Sequence, residues 1–262
     1  METTKICKPG STTIKKAVLY LLSILLWMVL WQLAAVKLSK ELFLPTPIKV
    51  FSVLLKDMIP SKAFWFSIKT SLFNIGTGFL AGTALGIFLA VLSSISEAIK
   101  IFLWFPMKII KSIPVASFTI LTLLWLPSKR LSIFIPFLMV LPVLYINTLT
   151  GISQADKKVL EMARVFHVPL IKKIIFIYIP YVMPYILSSC SIAVGMAWKS
   201  GIAAEIIGLT KNSIGNQLYQ SKIYLMIPEL FAWTITIVIL SISCEQFIKF
   251  ITHMILKKKG NL

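Results

Sequence analysis

A chain of 262 residues with 58% hydrophobic and only 14% charged side chains, and a mean hydropathy of +0.89, lies outside the soluble globular class, where about a quarter of residues are charged. The same wealth of aromatic and branched apolar residues excludes intrinsic disorder, and apolar runs of about 20 residues leave room for about six membrane crossings. The formal charge of +18 is spread between the apolar runs rather than gathered into a basic stripe interleaved with aromatics; this excludes a nucleic-acid surface and suits loops facing anionic lipid headgroups.

Taken in chain order, residues 1–16 are polar and basic, with Lys5, Lys8, Lys15 and Lys16. The uncharged run 17–36 exceeds the roughly 7–15-residue core of a secretory signal and contains Trp27 and Trp31, so it is expected to be the first span. Leu44-Pro45-Thr46-Pro47 breaks the chain, and 48–58 reads as a short interfacial helix on the outer surface. Span two is expected over 68–93. Its Gly78, Gly82 and Gly86, four apart on one face, mark a site of close helix approach or the ordinary glycine content of membrane helices. Glu97 to Lys111 is amphipathic, with Lys100, Lys108 and Lys111 beside Trp104 and Phe105, which suits the inner membrane surface.

Span three follows over 113–126, short unless it begins inside the preceding stretch, and span four over 131–150 tolerates Pro136 and Pro142 because neighbouring helices re-satisfy the freed carbonyls. The longest polar interruption is 151–175. Span five is expected over 176–198, a polar loop over 199–228, span six over 229–250, and a basic tail over 251–262 that includes Lys257, Lys258 and Lys259. Six spans put both termini on one side. With the termini inside, 16 of the 27 Lys and Arg fall in inner segments, and the lysines flanking the first and last spans orient both termini to the cytoplasm.

Chemistry-bearing clusters are sparse. Cys7, Cys190 and Cys244 are odd in number and far apart, and His167 and His253 are distant, so neither a disulfide framework nor a metal site is expected. Only nine acidic residues exist and none pair within a span, so no catalytic residues are expected either.

The informative segment follows span four. Glu161-Met162-Ala163-Arg164-Val165-Phe166-His167 is separated by nine residues from Ile177-Tyr178-Ile179-Pro180. Such a loop can form a short helix parallel to the bilayer, turn, and re-enter the membrane at Pro180. Physical chemistry alone leaves two readings: a basic loop anchoring lipid headgroups, or an exposed knob for a soluble partner.

This segment resembles the coupling loop of ABC importer permeases, whose pattern is Glu-Ala-Ala, three residues, Gly, nine residues, then Ile-x-Leu-Pro. The spacing from Glu161 to Pro180 matches without a gap; Met162 replaces an Ala, His167 replaces the Gly, and Ile179 replaces the Leu. Leu44-Pro45-Thr46-Pro47, Ser112-Ile113-Pro114-Val115-Ala116 with Leu124-Trp125-Leu126, and Gly195-Met196-Ala197-Trp198 followed by Ala203-Ala204-Glu205 and Gly208 are similar to the nitrate/sulfonate/taurine-type permeases.

The resemblance implies an all-α membrane protein of type I ABC importer permease architecture in the plasma membrane, non-catalytic itself and without a cofactor. Two copies would form a homodimeric pore for a small solute such as a sulfonate, taurine or nitrate. Two cytosolic ABC ATPase subunits, which would bind the ATP and Mg, would dock on the Glu161–His167 helix, and an extracellular or lipoprotein substrate-binding protein would deliver the solute.

Within that frame Glu161 is a helix-start charge or a contact to a basic ATPase residue, and Ala163 allows close approach to the partner. Arg164, Ile177 and Ile179 complete the coupling loop. His167 is a loop histidine rather than a pH sensor, and Pro180 marks re-entry or is an ordinary membrane-helix proline. Lys199 and Glu205, flanking the outer end of span five, are candidates for the translocation pathway or charges that snorkel to the surface, and Lys199 would suit an anion. The alternatives are the transmembrane component of a vitamin-type energy-coupling importer and a channel without an ATPase.

Overall fold

The computed structural model describes the backbone of residues 10–38 and 43–259, with side chains over 18–37, 43–156, 158–252 and 254–255. Lys5, Cys7 and Lys8 lie outside the described residues, as do the side chains of Lys15, Lys16, His253, Lys257, Lys258 and Lys259. Among the described residues all regular structure is helical.

The helices sort into two compact units. One holds residues up to 60 together with 221–232. Its first helix, α1 (Gly10–Leu38), carries a row of exposed apolar side chains from Val18 to Val36, and its Trp31 indole donates to the Pro45 carbonyl at 3.2 Å. Thr46 then caps α2 (Pro47–Val53), its hydroxyl accepting from Lys49 N–H, with Pro47 at the first helical position where a missing N–H costs nothing. A π turn over Leu54–Met58 continues the expected interfacial segment.

The second unit holds 61–220 and the residues from 233 on. It contains α3 (Lys62–Ile95), α4 (Glu97–Ser112), α5 (Val115–Thr122), α6 (Ser128–Ser153), α7 (Lys157–Val165), α8 (Leu170–Lys173), a π turn over Ile174–Tyr178, α9 (Ile179–Gly208), most of α10 (Ile214–Ile223), and the greater part of α11 (Ile227–Lys259). Five helical stretches are long and apolar enough to cross a membrane: 18–37, 62–95, 128–153, 170–208 and 227–252. Each contains or closely overlaps an expected span and extends beyond it, because hydropathy fades at charged residues while the hydrogen-bond ladder continues through them.

The core is the packing of α6 against α3 and α9. A Cβ added at Gly78 would fall onto the Ile133 carbonyl oxygen, one at Gly82 would stand 2.7 Å from that of Phe137, and one at Gly86 would stand 2.9 Å from that of Leu141. The glycine stripe is therefore a backbone-to-backbone groove, and Asn74 to Ser132 (3.1 Å) and Tyr145 to Ser93 (3.0 Å) hydrogen-bond beyond its two ends. Because the contact positions rise together on both helices, α3 and α6 run parallel. Positions 201 and 208 of α9 meet 136 and 131 of α6, so α9 runs antiparallel to it.

The expected third span takes a different form. Its helix covers only 115–122, about 12 Å of rise and too short to cross alone. Pro114 holds Ile113 extended (φ −76°, ψ 131°), which ends α4 and bends the α4–α5 pair by 103°. Parallel α3 and α6 require the intervening chain to return across the membrane, so this bent pair is the sixth crossing. The amphipathic stretch is its first arm, with Lys108 over the Trp104 ring at 4.4 Å and Met107 buried among Ala90, Leu141 and Tyr145.

Candidate functional site

The loop between α6 and α9 is built from α7. Asp156 caps it, its carboxylate accepting from Lys158 N–H at 2.9 Å. Asp156 thus takes the place at the helix start expected for Glu161, which is the fifth helical residue, one turn further on, and exposed. The far end closes as a Schellman turn: His167 N–H donates to Arg164 O (3.1 Å) and Val168 N–H to Ala163 O (3.0 Å). His167 has φ 50°, the left-handed conformation that the family pattern assigns to Gly. The missing glycine therefore leaves the turn's geometry intact, at a backbone cost of about 1–2 kcal/mol.

The outward face of this loop is apolar. Met162 is 56% exposed and Val165 and Phe166 each 73%, beside the exposed Glu161 and Arg164. Ala163 is only 4% exposed, so its small side chain is packed inside this chain and is not offered to a partner. Re-entry also differs from expectation. After Pro169 the helical run resumes at Leu170, ten residues before Pro180, and Ile177 lies in the π turn. The Ile179 N–H bonds Ile174 O across five residues, just ahead of a proline that has no N–H to offer. The other π turn likewise ends at Ile59-Pro60, with Ile59 N–H to Leu54 O at 3.0 Å.

Lys199 and Glu205 lie within α9 and not in a loop, because Ser200 and Gly201 are small enough for the helix to pack on through them; a Gly201 Cβ would crowd Ile75 and Pro136. Glu205 is fully buried. Its Oε2 accepts from Ser71 Oγ (2.8 Å) and from Gly215 N–H (3.1 Å), and Ser71 Oγ in turn accepts from Ile214 N–H (2.9 Å). The carboxylate holds the first turn of α10, where the helix dipole favours an anion. It is a buried strut joining α3, α9 and α10.

Lys199 is exposed and opens onto a groove of about 590 Å³ between α9 and α11, lined also by Ser188, Ser191, Gly195, Glu245 and Lys249. Glu245 and Lys249 form an ion pair at 2.6 Å. Sequence reasoning missed this pair and the exposed Val165 and Phe166. The i, i+4 spacing of Glu before Lys was the readable signal for the first, whereas nothing in the sequence alone separates the exposed apolar residues of α7 from buried ones. Among the described residues no group of three or more His, Cys, Asp or Glu is placed to hold a metal ion.

A Bacillus subtilis permease protein assigned to aliphatic sulfonates transport, SsuC, is 26% identical over 91% of this chain and 85% of its own length. The nitrate import permease protein NrtB of Synechococcus elongatus is 26% identical over 72% and 71%, and the taurine transport system permease protein TauC of Escherichia coli is 23% identical over 69% and 68%. The fold is that of a chain in the crystal structure of a bacterial alginate ABC transporter in complex with alginate pentasaccharide-bound periplasmic protein: TM-score 0.59 at 18% identity, over 95% of this chain and 98% of that one. The family model for binding-protein-dependent transport system inner membrane components matches residues 82–259, from the glycine stripe through the α7 loop and the α9–α11 groove, and the chain belongs to that family.

Proposed function

We propose that this multi-pass inner-membrane permease forms, as two copies, the passage for a small anionic solute and is driven through α7 by a cytosolic ABC ATPase. The observation that carries the reading is the exposed Met162–Val165–Phe166 face on a short, doubly capped helix between two membrane helices. An apolar knob of this kind in a cytoplasmic loop suits a protein groove better than lipid headgroups, which favour the basic residues around it. Hydrolysis belongs to the partner, with its own ATP and Mg; motion of α7 would switch the bundle between two packings. A separate binding protein would deliver solute from outside. The relatives' names, covering aliphatic sulfonates, nitrate, bicarbonate and taurine, support a small anion as cargo. Of the two ionisable residues in α9, Lys199 belongs to the passage and Glu205 to the scaffold. Both termini are cytoplasmic, in keeping with the lysine distribution.

A mild-detergent pull-down of the tagged chain tests this. A soluble P-loop ATPase in roughly equal amount is the expected outcome. Recovery of the chain alone, or with a small integral-membrane subunit, would overturn the reading in favour of a channel or an energy-coupling system.

A further inference from the structure

We infer that the groove between α9 and α11 is an anion-selective site whose unpaired positive charge is Lys199; the inference deepens the permease reading above and rests on it. Lys199 stands nine residues, about 13 Å of helix rise, before the end of α9, and Glu245 stands about 27 Å from the start of α11. The groove therefore reaches well into the membrane-spanning length. Charges at such depth are costly and are kept where they face one another or a polar cavity. Here Glu245 and Lys249 neutralise each other at 2.6 Å, while Lys199 has no acidic partner among the described residues, so the groove carries a net charge of about +1. Ser188 and Ser191 line the same side of α9, the Ser191 hydroxyl donating to the Leu187 carbonyl at 3.2 Å. Nothing stands within 4 Å of where a Gly195 Cβ would be, which leaves the floor between Ser191 and Lys199 open. A small oxyanion meets one ammonium without an acidic partner in this space, whereas a cation meets that ammonium with no compensating carboxylate. Lys199 thus sets the sign of charge the groove accepts, and the Glu245–Lys249 pair bounds it.

The test needs no knowledge of the cargo. Cys7, Cys190 and Cys244 are replaced by Ser, and Ser191→Cys is introduced as a reporter in membranes holding the full transporter. Its rates of reaction with the anionic sulfonatoethyl and the cationic trimethylammonioethyl methanethiosulfonates are then compared. The anionic reagent is expected to react faster, the ratio falling roughly tenfold with Lys199→Gln and persisting with Lys199→Arg. Millimolar nitrate or methanesulfonate is expected to slow the anionic reaction in the Lys199 protein only. A ratio indifferent to Lys199→Gln, or a reporter that neither reagent reaches, overturns the inference. ATPase co-purification is scored separately in the same membranes, and its loss would strike the permease reading whatever the labelling ratio.

Discussion

At the scale of single residues, His167 shows how a departure from the family pattern is accommodated, and Glu205 how a buried charge is held. His167 adopts φ 50° because two Schellman hydrogen bonds over-determine the turn, and the lack of a glycine there is a strain that the turn tolerates. His167→Gly is expected to raise thermal stability by up to about 1 kcal/mol and to keep ATPase binding. His167→Val, β-branched and ill-suited to that region, should lower the ATPase recovered per chain severalfold; equal recovery for the two variants would mean that the turn does not position α7. For Glu205 the contrast lies between Gln, which can still accept from Gly215 N–H, and Ala, which strands the Ser71 hydroxyl proton and the Gly215 N–H. Glu205→Ala should cost about 3 kcal/mol, read as a falling melting temperature in detergent, with Glu205→Gln near the parent in both stability and uptake. A Gln variant that folds but does not transport would return Glu205 to the passage.

At the scale of elements, the spacing of the glycine stripe of α3 favoured close helix approach over the ordinary glycine content of membrane helices, and the structure decides for close approach. The structure adds what the stripe touches, the carbonyls of 133, 137 and 141, and so supplies a graded test. Gly82→Ala should destabilise by about 1–3 kcal/mol, because a carbonyl cannot step aside as a side-chain tip can. Gly76→Ala, on the same helix with nothing within 4 Å, should be neutral or stabilise by about 0.5–1 kcal/mol. Similar losses for both would mean that the stripe is not a contact.

On α7 the legible part was the register of Glu161 through Pro180. The illegible part was which residues face outward, because burial of Ala163 and exposure of Phe166 depend on where the returning chain lies. Replacing Val165 and Phe166 together by Asp should abolish ATPase co-purification while leaving the chain in the membrane at its normal level. The ends of the spans were hidden for a different reason. Lys199 interrupts hydropathy without interrupting the helix, whereas Ile113-Pro114 interrupts the helix within apolar sequence.

At the scale of the whole molecule, topology follows from helix direction more securely than from counting charges. Only 16 of 27 basic residues favour the inner side, a narrow margin for the positive-inside rule. The contacts of α3 with α6 are parallel and those of α6 with α9 antiparallel, which fixes the sides of the connecting segments relative to one another. Residues 96 and 154 must share one face of the membrane, and residues 127 and 211 the other, so the bent α4–α5 pair has to traverse the bilayer despite its 103° break. Cysteines introduced one at a time at Glu97, Gln154, Lys129 and Lys211, in a chain without native cysteines, test this directly with an impermeant thiol reagent on intact cells. Lys129→Cys and Lys211→Cys should label from outside, and Glu97→Cys and Gln154→Cys only after permeabilisation. If Lys129→Cys instead sided with Glu97→Cys, the pair would be a re-entrant loop, α3 and α6 would have to be antiparallel, and the glycine-to-carbonyl register that organises the core would be wrong.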